Sequence, residues 1–422
     1  MPCLLVSCSK QRRGHIDRVV NRTAMESNPR KRRKLCAADE TSGALALPDA
    51  VVLDILERLP IGDILRFRRV CRAWRAMIAS EPGFARAHLR RWRSETVVVS
   101  PCSPGSGPFL KLYRYREPAG GSERAAGPAS RVQLRSPKSY DRSIVHRDGV
   151  LVVCSAAEML AWNPATGESV QLPRGQPSCC GAGIDRLGLC YDAAARALKV
   201  VRYYYRVHDV EAGAYSLGVE VLALGQGQGP PSWLPAARDP PCPIYGTPPA
   251  SVGSAVYWAI DDRFFVDGGG SRSAQPGVST LLSFDVTTGE YSIVDGPPCR
   301  WRCQDVALGN VGGALCVVAA LKSLLGMVWL RTAEGAWTRV LRVRTRYILA
   351  RLVPVGICGR TGELLLLAGR AMHHCCAGTG KARAVVDVRG QLEHSSRRRG
   401  PSAKTLVFMY TPSLIKIGPG SS

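Results

Sequence analysis

The chain of 422 residues is strongly basic, with 57 Lys and Arg against 33 Asp and Glu and a formal net charge of +24, yet its 45% hydrophobic content is ordinary. That length allows two or three domains and a sizeable core. The charge is scattered, with dense runs only at 30–34 and 397–399, so it lacks the basic stripe with interleaved aromatics that marks a nucleic-acid surface. No apolar run approaches the roughly 18–20 residues of a membrane span, and Lys10, Arg12 and Arg13 follow the short apolar start instead of preceding it, so no secretory signal is expected.

In chain order, residues 1–44 read as a disordered basic tail, with few aromatics and no sustained period. Within it, Arg30, Lys31, Arg32, Arg33 and Lys34 form a candidate nuclear import signal, which places the protein in the nucleus and/or the cytoplasm. Met25 opens the segment that carries this run and is a candidate natural start. In such a compartment the 16 cysteines are expected to be reduced, mostly buried small hydrophobes.

Residues 45–92 carry a helical pattern. Val52, Ile55, Leu56 and Leu59 recur at i, i+3, i+4 and i+7, the stripe of a helix with one buried face. Pro48 suits a first turn, where its missing N–H is not needed, and Asp49 adds favourable charge there. Pro60 pushes Leu59 out of the α region and ends the helix. Gly62 and Asp63 reopen a second helix through Ile64, Leu65 and Phe67. Val70, Trp74, Met77 and Ile78 form a third stripe, closed by Pro82-Gly83, and Phe84 and Leu89 mark a last short amphipathic piece. About 45 residues is marginal for an independent core, so the module is expected to complete itself against a partner.

This order of Leu47-Pro48-Asp49, Leu59-Pro60 and Val70-Cys71-x-x-Trp74 resembles the F-box, the module by which substrate receptors dock on the Skp1 adaptor of a cullin–RING ubiquitin ligase. The resemblance implies that Leu47, Pro48, Ile55, Leu56, Leu59, Pro60, Leu65, Val70, Cys71 and Trp74 contact a Skp1-type adaptor or support that contact. Ile61-Gly62 departs from a common Val-Lys pair of plant F-boxes.

From 93 to 415 the grammar is that of strands separated by Gly, Pro, Ser and Asp turns. The clearest are 151–154, 159–162, 198–207, 219–224, 255–260, 281–286, 314–318, 327–330, 337–343, 363–367 and 406–410. Within 201–208, Val201, Tyr203, Tyr205 and Val207 alternate with Arg202, Tyr204, Arg206 and His208, which predicts a half-buried strand. Many short strands at regular spacing indicate a sandwich, barrel or propeller. Two segments echo each other, Ala161–Glu168 as AWNPATGE and Ser283–Glu290 as SFDVTTGE, each a strand and tight turn closed by an Asn or Asp side chain and a Gly. Thr166 and Thr288 lie close to three units of about 40 residues apart, the size of a propeller blade.

The first echo, followed by Leu172-Pro173, and the ordered pieces Gly188-Leu189-Cys190-Tyr191-Asp192, Gly253-Ser254-Ala255-Val256-Tyr257-Trp258 and Leu281-Leu282-Ser283-Phe284-Asp285 resemble plant F-box-associated, kelch-like domains. The fold implied is α+β and multidomain: a small three-helix F-box, then an all-β propeller-like domain. The function implied is that of a substrate-recognition subunit of a Skp1–cullin–F-box ubiquitin ligase. Its partners would be a Skp1-type adaptor, through it cullin and RING subunits, and a protein substrate held on propeller loops.

Nothing in the chain suggests catalysis: phosphate loops, nucleophile elbows and paired hydrolase carboxylates are missing. No cofactor or metal is expected. His373-His374-Cys375-Cys376 is a cluster of ligand types, but adjacent side chains rarely converge on one ion. Trp162, Trp258 and Trp329 are expected to pack between strands, and the lone His208 to be a surface or satisfied residue, not a base. The rival readings are a Skp1-binding protein outside ubiquitin transfer, a basic nucleic-acid binder and a metal-dependent propeller enzyme.

Overall fold

The computed structural model describes residues 47–80, 83–92, 96–101, 109–114, 130–133, 142–155, 158–180, 187–225, 229–265, 279–322, 325–344, 352–359, 361–368, 371–376, 382–387 and 405–418. The expected tail, the basic run 30–34 and Met25 lie outside these residues.

Four helices open the described chain: α1 (Asp49–Glu57), α2 (Ile61–Phe67), α3 (Arg72–Ser80) and α4 (Phe84–Arg91). The sequence pattern predicts three and a fragment; the fragment is a full helix that contributes Phe84, His88 and Leu89 to the interior. Pro60 stands at the N-cap of α2, where its carbonyl accepts from Asp63 and Ile64. Gly83 takes φ +94° at the start of α4, a conformation that suits a residue without Cβ. The core of this module is small: Leu56, Ile64, Ile78 and Phe84 are buried together.

Strands come next: β1 (Thr96–Pro101), β2 (Phe109–Arg114) and β3 (Ser130–Gln133); β4 (Arg142–Arg147), β5 (Val150–Ser155), β6 (Met159–Trp162) and β7 (Ser169–Leu172); β8 (Leu187–Asp192), β9 (Ala197–Asp209), β10 (Ala214–Leu224) and β11 (Leu234–Pro235). Then come β12 (Ala250–Val252), β13 (Ala255–Ala259), β14 (Thr280–Asp285) and β15 (Tyr291–Asp295); β16 (Val306–Val311), β17 (Ala314–Lys322), β18 (Leu325–Arg331) and β19 (Trp337–Arg344); β20 (Leu352–Ile357), β21 (Leu364–Ala368), β22 (Ala371–Cys375) and β23 (Ala382–Asp387); and last β24 (Thr405–Tyr410). Among the described residues they pair into six four-stranded antiparallel sheets. Five are consecutive meanders, and the sixth has the order β24-β1-β2-β3. The first strands of these orders, β24, β4, β8, β12, β16 and β20, neighbour one another in a closed ring. This is a six-bladed propeller, closed by pairing the last strand with the first from Thr96↔Tyr410 to Pro101↔Thr405.

The core lies between blades. Val150, Val152 and Cys154 of β5 pack toward β8 and β9, while Leu151 and Val153 pack the other way against Leu110, Phe408 and Tyr410. A central strand is thus apolar on both sides, which is why such segments read as unbroken hydrophobic runs. The expectation of a half-buried strand at 201–208 is corrected here. β9 is buried continuously from Val200 to Tyr205, Arg202 and Tyr204 included, and Val207 is exposed. Trp162, Trp258 and Trp329 are buried as expected.

The two echoed turns have the same geometry. Asn163 Oδ1 accepts from the amides of Ala165 and Thr166, and Asp285 Oδ1 from those of Thr287 and Thr288; Gly167 and Gly289 take φ +77° and +75°. They join β6 to β7 and β14 to β15, equivalent places two blades apart. Their spacing therefore spans two blades, not three units of about 40, because loops lengthen each blade: β4 starts at 142 and β12 at 250.

Candidate functional site

The candidate docking residues of the helical module divide into two sets. Leu56 is 1% exposed and belongs to the core, with Leu59, Leu65 and Trp74 half-buried around it; Trp74 meets Phe67 edge-on at 5.1 Å. Leu47, Pro48, Ile55, Pro60, Val70 and Cys71 are exposed, Ile55 at 44% and Val70 at 63%. Val51 is exposed as well, and one helical turn separates it from Ile55, so the two form an apolar strip on the open side of α1. The structure differs from the expected third stripe. Val70 lies in the turn before α3, where Cys71 Sγ accepts from the Trp74 amide at 3.4 Å and caps the helix.

Polar contacts brace the module. Arg91 pairs with Asp54 at 3.0 Å, and the Arg91 and Arg58 hydrogen bonds hold the Asp54 carboxyl below its usual range. The buried His88 Nε2 bonds the Leu59 carbonyl at 2.9 Å, which requires the proton on Nε2. Its Nδ1 is buried without a partner, and desolvation lowers its pKa despite the Leu59 contact.

The propeller presents two faces, because alternate hairpin turns of antiparallel strands lie at opposite ends. Helix α4 meets the face that carries the β4–β5 and β8–β9 turns. There Arg86 pairs with Asp148 at 2.6 Å, and its guanidinium lies 3.2 Å from the Tyr191 ring centroid. The opposite face carries the β9–β10 hairpin and the short 3-10 turn Asp262–Phe265. His208 is a satisfied, half-buried residue there: it packs edge-on against Tyr205 at 4.8 Å and Phe264 at 5.2 Å, and Phe264 also meets Tyr215, the cross-strand partner of His208, at 5.4 Å. Val207 and Phe265 stand exposed beside them.

A cavity of about 330 Å³ opens beside the β8–β11 blade, lined by Pro173–Pro177, Tyr204, Glu220 and Trp233 among others. Its inner wall is a buried ion pair, whereas the alternation read from the sequence would have put Arg202 on the solvent side. The Arg202 guanidinium meets the Glu220 carboxylate, whose two oxygens also accept from the Gln176 amide at 3.2 Å, while Arg202 donates to the Gln176 carbonyl at 2.9 Å. The pair thus anchors the β7–β8 connection at Gln176.

The His-Cys cluster does not converge. His373 to Cys375 lie on β22, where successive side chains face opposite ways, and His374 Nδ1 bonds Glu363 at 3.0 Å. Asp261, Asp262 and Cys303 do come together, but Arg263 already occupies both Asp261 oxygens, at 2.8 and 2.6 Å.

A family model described as F-box domain matches residues 45–85. The chain is similar to an F-box/kelch-repeat protein of Arabidopsis thaliana, at 23% identity over 81% of this chain and 92% of that protein. It is also similar to an F-box/LRR-repeat/kelch-repeat protein of the same plant, at 23% over 77% and 84%. Among solved structures it is similar, at 12% identity, to YjhT (69% of this chain, 93% of that one, TM-score 0.36) and to the SapL1 lectin in complex with alpha methyl fucoside (69% and 96%, TM-score 0.39). Residues 45–85 are an F-box domain, joined in this chain to a β-propeller.

Proposed function

We propose that this F-box protein is the substrate-recognition subunit of a Skp1–cullin–F-box ubiquitin ligase. The F-box docks on a Skp1-type adaptor, which brings cullin and RING subunits, and loops of the propeller face opposite the F-box hold a protein substrate. The chain acts by tethering, which turns a bimolecular encounter between substrate and charged E2 into a nearly intramolecular one, and contributes no catalytic group of its own. Its place of action would be the nucleus and/or the cytoplasm.

The observation that carries this reading is the division of the F-box residues. A module with so small a core buries Leu56 and keeps Ile55, Val51, Leu47 and Val70 in solvent, and surplus apolar surface on a marginal module is what a partner would cover. The test is calorimetric binding of the purified protein to a recombinant Skp1-type adaptor, beside an Ile55→Glu/Val70→Glu double variant. The expected result is tight wild-type binding, weakened at least about 100-fold in a variant whose circular dichroism is unchanged, since two charges would enter an apolar interface. Well-folded wild type that fails to bind would overturn the reading.

A further inference from the structure

After β24 the chain runs as Thr411-Pro412-Ser413-Leu414-Ile415-Lys416-Ile417-Gly418, with no strand or helix to satisfy its backbone. Buried backbone groups need partners, and one propeller turn supplies most of them. Asn163 Nδ2 donates to the carbonyls of Ser413 and Ile415 at 3.1 and 2.8 Å. The amides of Ile417 and Gly418 donate to Glu168 Oε2 and Oε1 at 3.2 and 2.7 Å, and the Gly225 amide donates to the Ile417 carbonyl at 3.1 Å. The side chains part in two directions. Ile417 and Ile415 pack into the core between the β4–β7 and β8–β11 blades. Leu414 enters the F-box core beside Leu56, Ile64, Ile78 and Phe84 and is 7% exposed.

The fit is close on the propeller side as well. Gly149 has φ +80°, and a Cβ there would stand 2.5 Å from Ser413 Oγ and 2.6 Å from the Thr411 carbonyl oxygen. The twin turn at 285–290 provides an internal comparison. It has the same caps and the same Thr-Gly-Glu, but its Glu290 is exposed and its capping residue is Asp285. An aspartate caps the turn but has no N–H to give. The copy that meets the segment carries asparagine, the side chain of this shape able to cap with its oxygen and donate with its nitrogen.

We propose that Ser413–Gly418 is a strap that completes the F-box core and fixes the F-box on the propeller, with Leu414 and Asn163 as positioning residues for adaptor docking. The docking half rests on the function proposed above; the structural half does not. The Arg86 contacts to Asp148 and Tyr191 supply a second fastening on the same face. The two together hold the adaptor at a set distance from whatever the opposite face carries.

The test uses the full chain with Leu414→Ala, Leu414→Met and Asn163→Asp. The last keeps the turn cap, as Asp285 does, while removing both donations to the strap. Native-state amide exchange would be read separately over α1–α4 and over β16–β19. Leu414→Ala and Asn163→Asp are expected to speed exchange in the helices at least about tenfold with β16–β19 unchanged, and Leu414→Met, which conserves volume, to restore protection. In the same variants the distribution of distances between non-cysteine spin labels at Ala73 and Glu290 is expected to broaden, and adaptor affinity to fall. Unchanged helix exchange in Leu414→Ala would overturn the proposal. So would equal acceleration in β16–β19, because Leu414 would then be an ordinary part of one global fold. Should wild type fail to bind any Skp1-type adaptor, the proposed function falls, and exchange and label distances still decide the strap.

Discussion

The buried pair Arg202–Glu220 allows a worked prediction. Its side chains are 5% and 2% exposed, and both bond Gln176. Glu220→Gln keeps the shape and one acceptor but takes the buried carboxylate charge from the guanidinium; breaking such a pair costs about 3–5 kcal/mol. Were the neighbouring cavity to admit water freely, the pair would behave as an exposed one, worth about 0–1 kcal/mol. The two limits differ enough to decide by urea unfolding. With a slope of about 3 kcal/mol/M, the buried case moves the midpoint by about 1 M or more, and the wet case by less than about 0.3 M. The double variant Arg202→Met/Glu220→Leu separates charge from packing. Removing both charges is expected to recover most of the loss, while the β7–β8 connection, having lost both contacts to Gln176, exchanges faster than in wild type. A shift under about 0.3 M for Glu220→Gln would refute the reasoning, and so would a double variant as unstable as the single one.

Three further outcomes are expected. Leu56→Ala opens a cavity in the F-box core and is expected to cost about 2–5 kcal/mol, enough to erase protection of α1–α4 in amide exchange, whereas Ile55→Ala changes that protection by less than about 0.5 kcal/mol. His88 titrates below its ordinary value because burial disfavours its charged form, an effect that outweighs its hydrogen bond to the Leu59 carbonyl. The unfolded chain therefore binds the extra proton below about pH 6.5, and F-box stability is full above that pH and falls as pH drops through it; melting between pH 7.5 and 5 measures the slope, which His88→Gln is expected to flatten. Gly149→Ala is expected to destabilise the protein by more than about 1 kcal/mol, through strain at positive φ and the clash with Ser413; an unchanged melting temperature would show that the strap stands off the β4–β5 turn.

How legible each strand is in the sequence depends on where it lies in its blade. The inner and middle strands, such as β5, β9, β14 and β21, bury both faces and appear as apolar runs that composition alone reveals. The outer strands do not: β11 is the exposed pair Leu234–Pro235, and β7 buries only Leu172. Blade number is hidden for a related reason, since the loops between blades differ in length and two echoes cannot count the blades between them. A third copy of the turn, at Cys358–Glu363, repeats the Thr-Gly-Glu but not the Asn or Asp that marks the other two. There the Gly362 amide again donates to the carbonyl five residues before Glu363 and Thr361 Oγ1 accepts from the Glu363 amide, but Cys stands where Asn or Asp would have signalled a cap. In the F-box the apolar residues are legible, but not their division into core and surface. Periodicity places Ile55 and Leu56 on one stripe, and only the packing of α4 and of Leu414 decides which of them faces inward. Asn163 is legible as a cap through its oxygen; its nitrogen has a use only because a segment 250 residues away passes over it.

That passage is a consequence of how the ring is closed. β24 is the inner strand of the blade whose next strand is β1, and the two run antiparallel with Thr96 opposite Tyr410. The start of β1 and the end of β24 therefore lie at the same end of one sheet. The chain enters the propeller from α4 at that end and leaves it there, so the F-box and the segment after β24 meet on one face without any long connection. A closure in which the first strand of the chain was innermost would pair the end of the chain on the outside of the blade and carry residues 411–418 away from the F-box. Pairing by the last strand on the inside thus does two things with one register. It removes the open edge that an unclosed blade would present, and it delivers Leu414 to a helical module whose own core is too small to spare it. Among the described residues, neither α4 nor the segment 411–418 reaches the face at the other end of the blades, where the hairpin Asp209–Ala214 and the aromatic cluster around His208 and Phe264 lie.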